Sequence, residues 1–328
     1  MIIKLFRENQ PFTFIISFLF AIAIWVFVSI KKSFCAEYHL LYNTNFFYLI
    51  PSLRNINDYM VLSAGINILL VFLNGAYLSR IIVKYQIIPH RTILPSFLFI
   101  LLTAPYFANY NGLSFPLITL SILLFVIDIL FGSLEQKGVS YGYFDSSLLL
   151  SIASFINVYI LFYFVVILII LILFKGLSGR ELMFMIIGIA FPYLILLSIL
   201  YLFDHNIKEV FNSFVIYNAT TIIHPTLIQI VLGAFSLFMV IAGSIKILGY
   251  YVKMKIATRK FSLIFLYLFL ITLLIANFYP VVNKDIIFFL AAPTSFLFSF
   301  YFSTCKINLF NQILFISLLS LNLYALFY

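Results

Sequence analysis

The chain alternates between long apolar stretches and short polar stretches that carry most of the charged residues. An α-helix needs about 20 apolar residues to cross roughly 30 Å of hydrocarbon, and windows of about 19 residues locate such segments. Single spans of this length lie near residues 11–30, 59–79, 92–108, 114–132, 182–203, 226–249, 261–279, 285–304 and 308–328. The pattern predicts an all-α fold, a polytopic transmembrane helical bundle.

One further apolar stretch, residues 146–174, is longer than a simple span. A single helix over this stretch would run roughly 43 Å at 1.5 Å per residue, about a third more than the hydrocarbon thickness. A tilted helix could absorb the excess. Length alone therefore does not distinguish one tilted crossing from a hairpin that enters the membrane and returns.

The placement of Lys and Arg favours the hairpin, because these residues gather in cytoplasmic loops. If 146–174 returns, 14 of the 19 basic residues lie on the side of the amino terminus, and if it crosses once only eight do. The break is expected at Asn157-Val158-Tyr159. The sequence thus predicts about 10 or 11 membrane-inserted segments, one of them broken or re-entrant, and a cytoplasmic amino terminus. A re-entrant segment also indicates a functional site, because irregular backbone is tolerated in a membrane only inside protein or beside a cavity.

Composition narrows the class of protein. Hydrophobic residues make up 65% of the chain and charged residues 9%, against a charged share of roughly 25% in soluble domains. The net charge of +9 does not indicate a nucleic-acid partner, because most basic residues lie beside spans, where they set topology. The loops are too short for a separate domain. Residues 1–328 are therefore expected to form a single integral membrane domain.

Few ionisable residues lie inside the predicted spans, and Asp128 is the main candidate among them for a specific role. Asp128 lies about one turn before the predicted cytoplasmic end of its span at Gly132. A carboxylate this close to the membrane surface more commonly reaches the lipid headgroups than serves in a proton or ion relay. Asn67 and Asn74 are seven residues apart on one helix face. We expect them to form hydrogen bonds between helices.

The first external loop has the best chemical constellation in the sequence. Glu37 and Asp58 are the candidate catalytic residues, because a carboxylate just after the first span could deprotonate an acceptor hydroxyl. Lys31, Lys32 and Arg54 are the candidate substrate-binding residues, because cations hold a lipid phosphate. The alternative is a solvated loop with ordinary charges.

No cofactor or metal site is expected. His205 and His224 share one external loop, but their spacing matches no metal motif.

Several stretches resemble a family of uncharacterised bacterial inner-membrane proteins, some of which carry an automatic label as carotene monooxygenases. These stretches are residues 91–98 (RTILPSFL), 143–155 (YFDSSLLLSIASF), 179–181 (GRE) and 188–193 (GIAFPY). The resemblance covers roughly residues 80–200 and implies a bacterial inner membrane location without an established activity. We give the oxygenase label no weight, because an iron site of that kind needs several clustered histidines and the chain has only 4 histidines in all.

The same region is more loosely similar to the C superfamily of membrane glycosyltransferases. Members share a cytoplasmic amino terminus, an acidic first external loop, a broken helix in mid-chain and an Arg-bearing cytoplasmic turn after it. By this resemblance Glu37 would stand where the superfamily places its catalytic acid, although the paired acidic motif is missing. The resemblance implies a glycosyltransferase-like protein in cell-envelope assembly, with membrane lipids and a polyprenyl-phosphate-linked substrate as partners.

Two alternatives stay open at this point, a non-enzymatic membrane scaffold subunit and a small-solute permease. A permease should have a continuous polar pathway at the midplane, centred on broken helices. A scaffold should have none.

Overall fold

The computed structural model describes residues 11–34, 60–107, 114–135, 141–176, 178–202, 227–278, 283–306 and 308–326. The regular structure in these ranges is helical throughout. The α-helices are α1 Pro11–Phe34, α2 Met60–Lys84, α3 Leu94–Phe107, α4 Phe115–Glu135, α5 Tyr141–Ile156, α6 Phe164–Lys175, α7 Gly179–Leu202, α8 Leu227–Tyr250, α9 Ile256–Phe278, α10 Asn283–Thr304 and α11 Leu309–Ala325. Short 3₁₀ helices at Val158–Tyr163 and Tyr251–Lys253 interrupt the series. The predicted all-α bundle is confirmed.

Six of the described helices are long and apolar enough to cross a membrane. They are Leu62–Lys84, Phe115–Ser133, Gly179–Leu202, Ile230–Lys253, Ile256–Asn277 and Ile286–Thr304. Large apolar side chains stay exposed on the outside of the bundle, such as Met183, Ile186 and Leu194 on α7. Exposing them to water would cost about 25 cal/mol per Å² of apolar surface. The chain is therefore a multi-pass membrane protein.

The helix α10 forms the centre of the bundle and packs against α3, α8 and α9. Its aromatic side chains at Phe296, Phe298 and Phe300 are fully buried. The hydroxyls of Ser295 and Ser299 are buried too, and each donates to a carbonyl one turn earlier in the same helix. Hydroxyls satisfied within their own helix can be buried at little cost, so a helix with a moderate share of Ser and Thr can occupy the core.

The segment 146–174 doubles back, as predicted. Helices α5 and α7 run parallel, as two contacts between them show. Near their first turns the ring centroids of Tyr141 and Phe184 are 6.1 Å apart. Further along both helices the hydroxyl oxygens of Ser154 and Tyr193 are 2.6 Å apart. The chain must therefore return to the starting end between them. Helix α6 makes this return, and the ring of Phe174 near its end lies 5.5 Å from that of Phe261, near the start of α9.

The hairpin turns at Asn157, the position predicted for the break. This residue has extended backbone (φ −144°, ψ 108°), and its side-chain oxygen accepts a hydrogen bond from the Tyr159 backbone N–H at 3.2 Å. Capping by a short amide side chain gives the backbone an alternative to continuing the α-helix. Ile160 and Tyr163 of the following 3₁₀ helix are buried, so the irregular backbone lies inside protein.

One end of the bundle collects basic side chains from several helices. Phe14 of α1 shares a cleft with Arg80 of α2, Lys255 donates to the Gln86 side chain at 3.4 Å, and Lys260 donates to the Leu173 carbonyl. We call this end, with Arg80, Lys84, Arg180, Lys255 and Lys260, the basic end. The hairpin brings these residues to one side, which is the arrangement that the Lys and Arg pattern predicts.

Candidate functional site at the basic end

The structure does not describe the side chains of the site residues predicted in the first external loop. Glu37, Arg54 and Asp58 lie outside the described residues. Lys31 and Lys32 belong to the described backbone of α1, but their side chains are not described. Because α1 has Phe14 at the basic end, its last turns lie toward the opposite end of the bundle.

Asp128 of α4 is the centre of a polar cluster with the last turns of α2. Its Oδ1 lies 2.7 Å from the Lys84 ammonium, and the Tyr85 hydroxyl donates to the same oxygen at 2.8 Å. The Tyr77 hydroxyl donates to Oδ2 at 2.9 Å. Among the described residues this is the one salt bridge. A carboxylate with these three donors is held in place, so the cluster fastens α2 to α4 and is poorly suited to act as a base.

The sequence singled out Asp128 but missed its partners. Two of these partners, Tyr77 and Lys84, are seven residues apart, which places them on one face of the helix two turns from each other. That spacing is the signal that could have found the cluster. It was missed because Lys84 lies beyond the predicted span end at residue 79 and was interpreted only as a topology signal.

The two asparagines of α2 bond to α4, as predicted. The Asn67 side-chain oxygen accepts from the Ser114 backbone N–H at 2.8 Å, and the Asn74 amide donates to the Leu117 carbonyl at 3.0 Å. These bonds lie further from the basic end than the Asp128 cluster. Helices α2 and α4 are thus joined by polar contacts over most of their length.

A cleft of about 240 Å³ opens beside this cluster, between α1, α2 and the start of α3. We call it the Arg80 cleft. It is lined by Phe14, Ala76, Ser79, Arg80, Val83, Thr92, Ile93 and Ser96. The guanidinium carbon of Arg80 lies 5.9 Å from the centre of the Tyr77 ring. The cleft therefore combines one exposed cation, several hydroxyls and an apolar wall.

The hairpin has a second group of polar contacts, on the side of α5 that faces α7. The Ser151 hydroxyl donates to the Ile189 carbonyl at 2.9 Å, and the Ser154 and Tyr193 hydroxyls are 2.6 Å apart. These groups satisfy one another, so they join α5 to α7. Across the described ranges, no three His, Cys, Asp or Glu side chains come together as a metal site would require.

Comparisons of the chain with protein-family models, with characterised proteins and with solved structures found no match. The function therefore has to be inferred from the chain's own residues and geometry.

Proposed function

We propose that this protein is a glycosyltransferase-like protein of the bacterial inner membrane that acts on a lipid-linked substrate in cell-envelope assembly. The observation that carries the proposal is the hairpin of α5 and α6, with its irregular turn at Asn157. Non-helical backbone at membrane depth is costly unless it is enclosed or lines a cavity. Broken helices form the substrate sites of many membrane transporters, and we propose that the hairpin serves substrate binding here too.

The outer face of α6 supports contact with a lipid chain. Val165 and Ile172, seven residues apart on one face, are exposed, and so is Phe162 in the preceding 3₁₀ helix. The opposite face of α6 is buried at Val166 and Ile170. In this proposal the exposed stripe is one wall of the groove in which the hydrocarbon part of a polyprenyl-phosphate-linked substrate lies.

The basic end supports the orientation that the proposed chemistry needs. Because Lys and Arg favour the cytoplasmic side, we assign the basic end and the amino terminus to the cytoplasm. The loop after α1 then lies outside. There, Glu37 would deprotonate the acceptor hydroxyl, with Asp58 as the second acid of the site. Lys31, Lys32 and Arg54 would hold the donor phosphate. These roles rest on the sequence.

A non-enzymatic scaffold is the second candidate, and the buried hydroxyls favour it over a permease. In the described core, Thr103, Thr119, Thr294 and Ser303 each donate to a carbonyl three or four residues earlier in their own helix. Hydroxyls engaged in this way do not offer a solute a chain of binding groups. A permeation pathway would need unengaged polar groups near the midplane.

The experiment that tests the proposal is complementation of a deletion strain, with envelope glycans and lipid-linked intermediates measured by mass spectrometry. We expect the deletion to lose one glycoconjugate and to accumulate its lipid-linked precursor. The wild type should restore the product, and Glu37→Ala and Asp58→Ala should not. Asp145→Ala is the matched control, because Asp145 is an exposed carboxylate on α5 and should restore it fully.

Two results would contradict the proposed transferase activity. In one, the deletion strain keeps an unchanged profile of glycans and lipid-linked intermediates. In the other, Glu37→Ala and Asp58→Ala restore the product as well as Asp145→Ala does. The second result, with the product still dependent on the protein, would support the scaffold.

A further inference from the structure

We infer that the Arg80 cleft binds the phosphate of an anionic phospholipid in the leaflet at the basic end. This inference goes beyond the proposed transfer reaction and does not depend on it, because none of the residues that line the cleft has a role in that reaction. Three observations support it: the ion-pairing state of Arg80, an unpaired hydroxyl at Ser96, and the apolar wall of the cleft.

Arg80 is an exposed cation that forms no ion pair with a carboxylate of the described residues. The one ion pair among the described residues is Lys84 with Asp128, so the acid nearest along α4 is already engaged. Arg80 instead lies over the ring of Tyr77, whose hydroxyl is held by Asp128. Stacking on a fixed ring orients the guanidinium but leaves its N–H donors available. A planar guanidinium in this state is suited to bidentate bonding with a phosphate.

Ser96 provides the second observation. Its side chain is fully buried, and its hydroxyl has no hydrogen-bond partner. Its backbone N–H donates to the Ser79 hydroxyl at 2.9 Å, and both residues line the cleft. A buried hydroxyl without a partner costs about 1 to 3 kcal/mol. Rotation of this side chain about χ1 toward the cleft would let the hydroxyl donate to an oxygen of a bound headgroup and relieve this cost. The buried hydroxyl and the exposed cation are therefore suited to the same ligand chemistry.

The apolar lining indicates that the anion belongs to a lipid. Phe14, Val83 and Ile93 line the same cleft as Arg80, and Phe14 is exposed beyond it. The volume of about 240 Å³ is below the roughly 300 to 1,000 Å³ of sites that enclose drug-sized ligands. A phosphate and glycerol unit would therefore occupy the cleft, with its acyl chains outside along α1. A dissolved phosphate would gain nothing from the apolar wall.

The test is lipid binding to the purified full-length protein in detergent, measured by native mass spectrometry during titration with phosphatidylglycerol. Arg80→Gln should weaken binding at least tenfold. Arg180→Gln is the matched control, because Arg180 is also an exposed arginine at the basic end, with its guanidinium carbon 5.8 Å from the Phe184 ring centre. It should change the affinity less than twofold. Ser96→Ala should weaken binding several-fold while the lipid-free protein unfolds at the same temperature or higher, because an unpaired buried group is removed.

Several outcomes would overturn the inference. Equal binding by wild type and Arg80→Gln would remove the role of the cation, and equal losses in Arg80→Gln and Arg180→Gln would mean general attraction to a basic surface. Displacement of the lipid by millimolar inorganic phosphate would identify the ligand as a dissolved anion. Phosphatidylethanolamine that binds as tightly as phosphatidylglycerol would show that net lipid charge is not recognised. The glycan profile of the Arg80→Gln strain distinguishes a failure of this inference from a failure of the proposed transferase activity. That profile should match wild type whether or not the cleft binds lipid.

Discussion

The ammonium nitrogen of Lys84 lies 2.7 Å from a carboxylate oxygen of Asp128, and the two residues are 44 positions apart in the chain. The contact joins the end of α2 to the end of α4 at the level where the apolar spans stop. Lys84 is 45% exposed and Asp128 only 12%. The lysine therefore reaches toward the headgroups along its apolar stem, while the carboxylate stays within the bundle, so the two partners should contribute differently to stability.

We expect Asp128→Ala to lower the free energy of unfolding by about 1 to 3 kcal/mol, because it leaves the Tyr77 hydroxyl without its carboxylate acceptor. The Tyr85 hydroxyl keeps one acceptor, the backbone carbonyl of residue 128. Lys84→Met should cost only about 0.5 to 1 kcal/mol, because an exposed partner is screened and solvated. The variants can be ranked by stability from the temperature at which each detergent-solubilised protein loses its monodisperse peak in size-exclusion chromatography. Asp145→Ala, an exposed acid on α5, should match wild type. A Lys84→Met variant less stable than Asp128→Ala would contradict the assignment of Asp128 as the centre of the cluster.

The features predictable from the sequence were those set by local pattern. Apolar length gives the helices, and the distribution of Lys and Arg together with Asn157 gives the hairpin and its turn. The predicted ends were less accurate, since α2 continues to Lys84 and α9 starts at Ile256, about one turn beyond the expected spans. Long basic side chains can lie along the apolar surface and end in the headgroups, so a charge does not stop a helix at the membrane.

The Arg80 cleft could not be predicted, for a different reason. It is formed by parts of α1, α2 and the start of α3, and which helix faces meet depends on packing between helices. Phe14 and Arg80 carry no local signal that they share a cleft. The same holds for Ser96, whose missing hydrogen-bond partner is a property of its surroundings.

Two glycines of α8 allow a matched test of helix packing. A Cβ on Gly243 would lie 2.7 Å from the Leu297 carbonyl oxygen of α10, whereas a Cβ on Gly233 would meet nothing within 4 Å. Because the obstacle at Gly243 is backbone, Gly243→Leu must push α8 away from α10 and should destabilise the protein by about 1 to 3 kcal/mol or more. Gly233→Leu should have little effect. The two variants can be compared by the yield of monodisperse protein and its thermal midpoint, and equal behaviour would contradict the close approach of α8 and α10.

The parallel packing of α5 and α7 predicts a cross-link. A Cβ on Gly188 would lie 3.2 Å from the Cβ of Ser147 but also 2.7 Å from the Phe144 carbonyl oxygen. Helix α7 must therefore shift slightly outward, which brings the two Cβ atoms toward the roughly 3.5 to 4.5 Å separation of a disulfide. In a protein with Cys35 and Cys305 replaced by serine, Ser147→Cys with Gly188→Cys should form a disulfide under mild oxidation. Mass spectrometry of the digested, unreduced protein would identify the linked peptides.

The control for this cross-link is Ser147→Cys with Met183→Cys, because Met183 is on the exposed face of α7. It should stay unlinked within each molecule. A single crossing by 146–174 would make α7 start at the end opposite to the start of α5. Failure of the first pair to link, with the protein still monodisperse, would therefore contradict the hairpin.

The turn between α6 and α7 rests on the backbone of Gly176. Its φ of +75° lies in the left-handed region, with nothing near a potential Cβ, and Gly179 at the start of α7 has equally open space. Gly176→Ala should cost about 1 to 2 kcal/mol, because a side chain opposes positive φ. Gly179→Ala should be neutral or stabilise by up to about 1 kcal/mol, since alanine favours the helix. Thermal midpoints of the two variants in the same detergent measure the difference. If Gly176→Ala were as stable as Gly179→Ala, the return of the chain after α6 would not use a left-handed glycine.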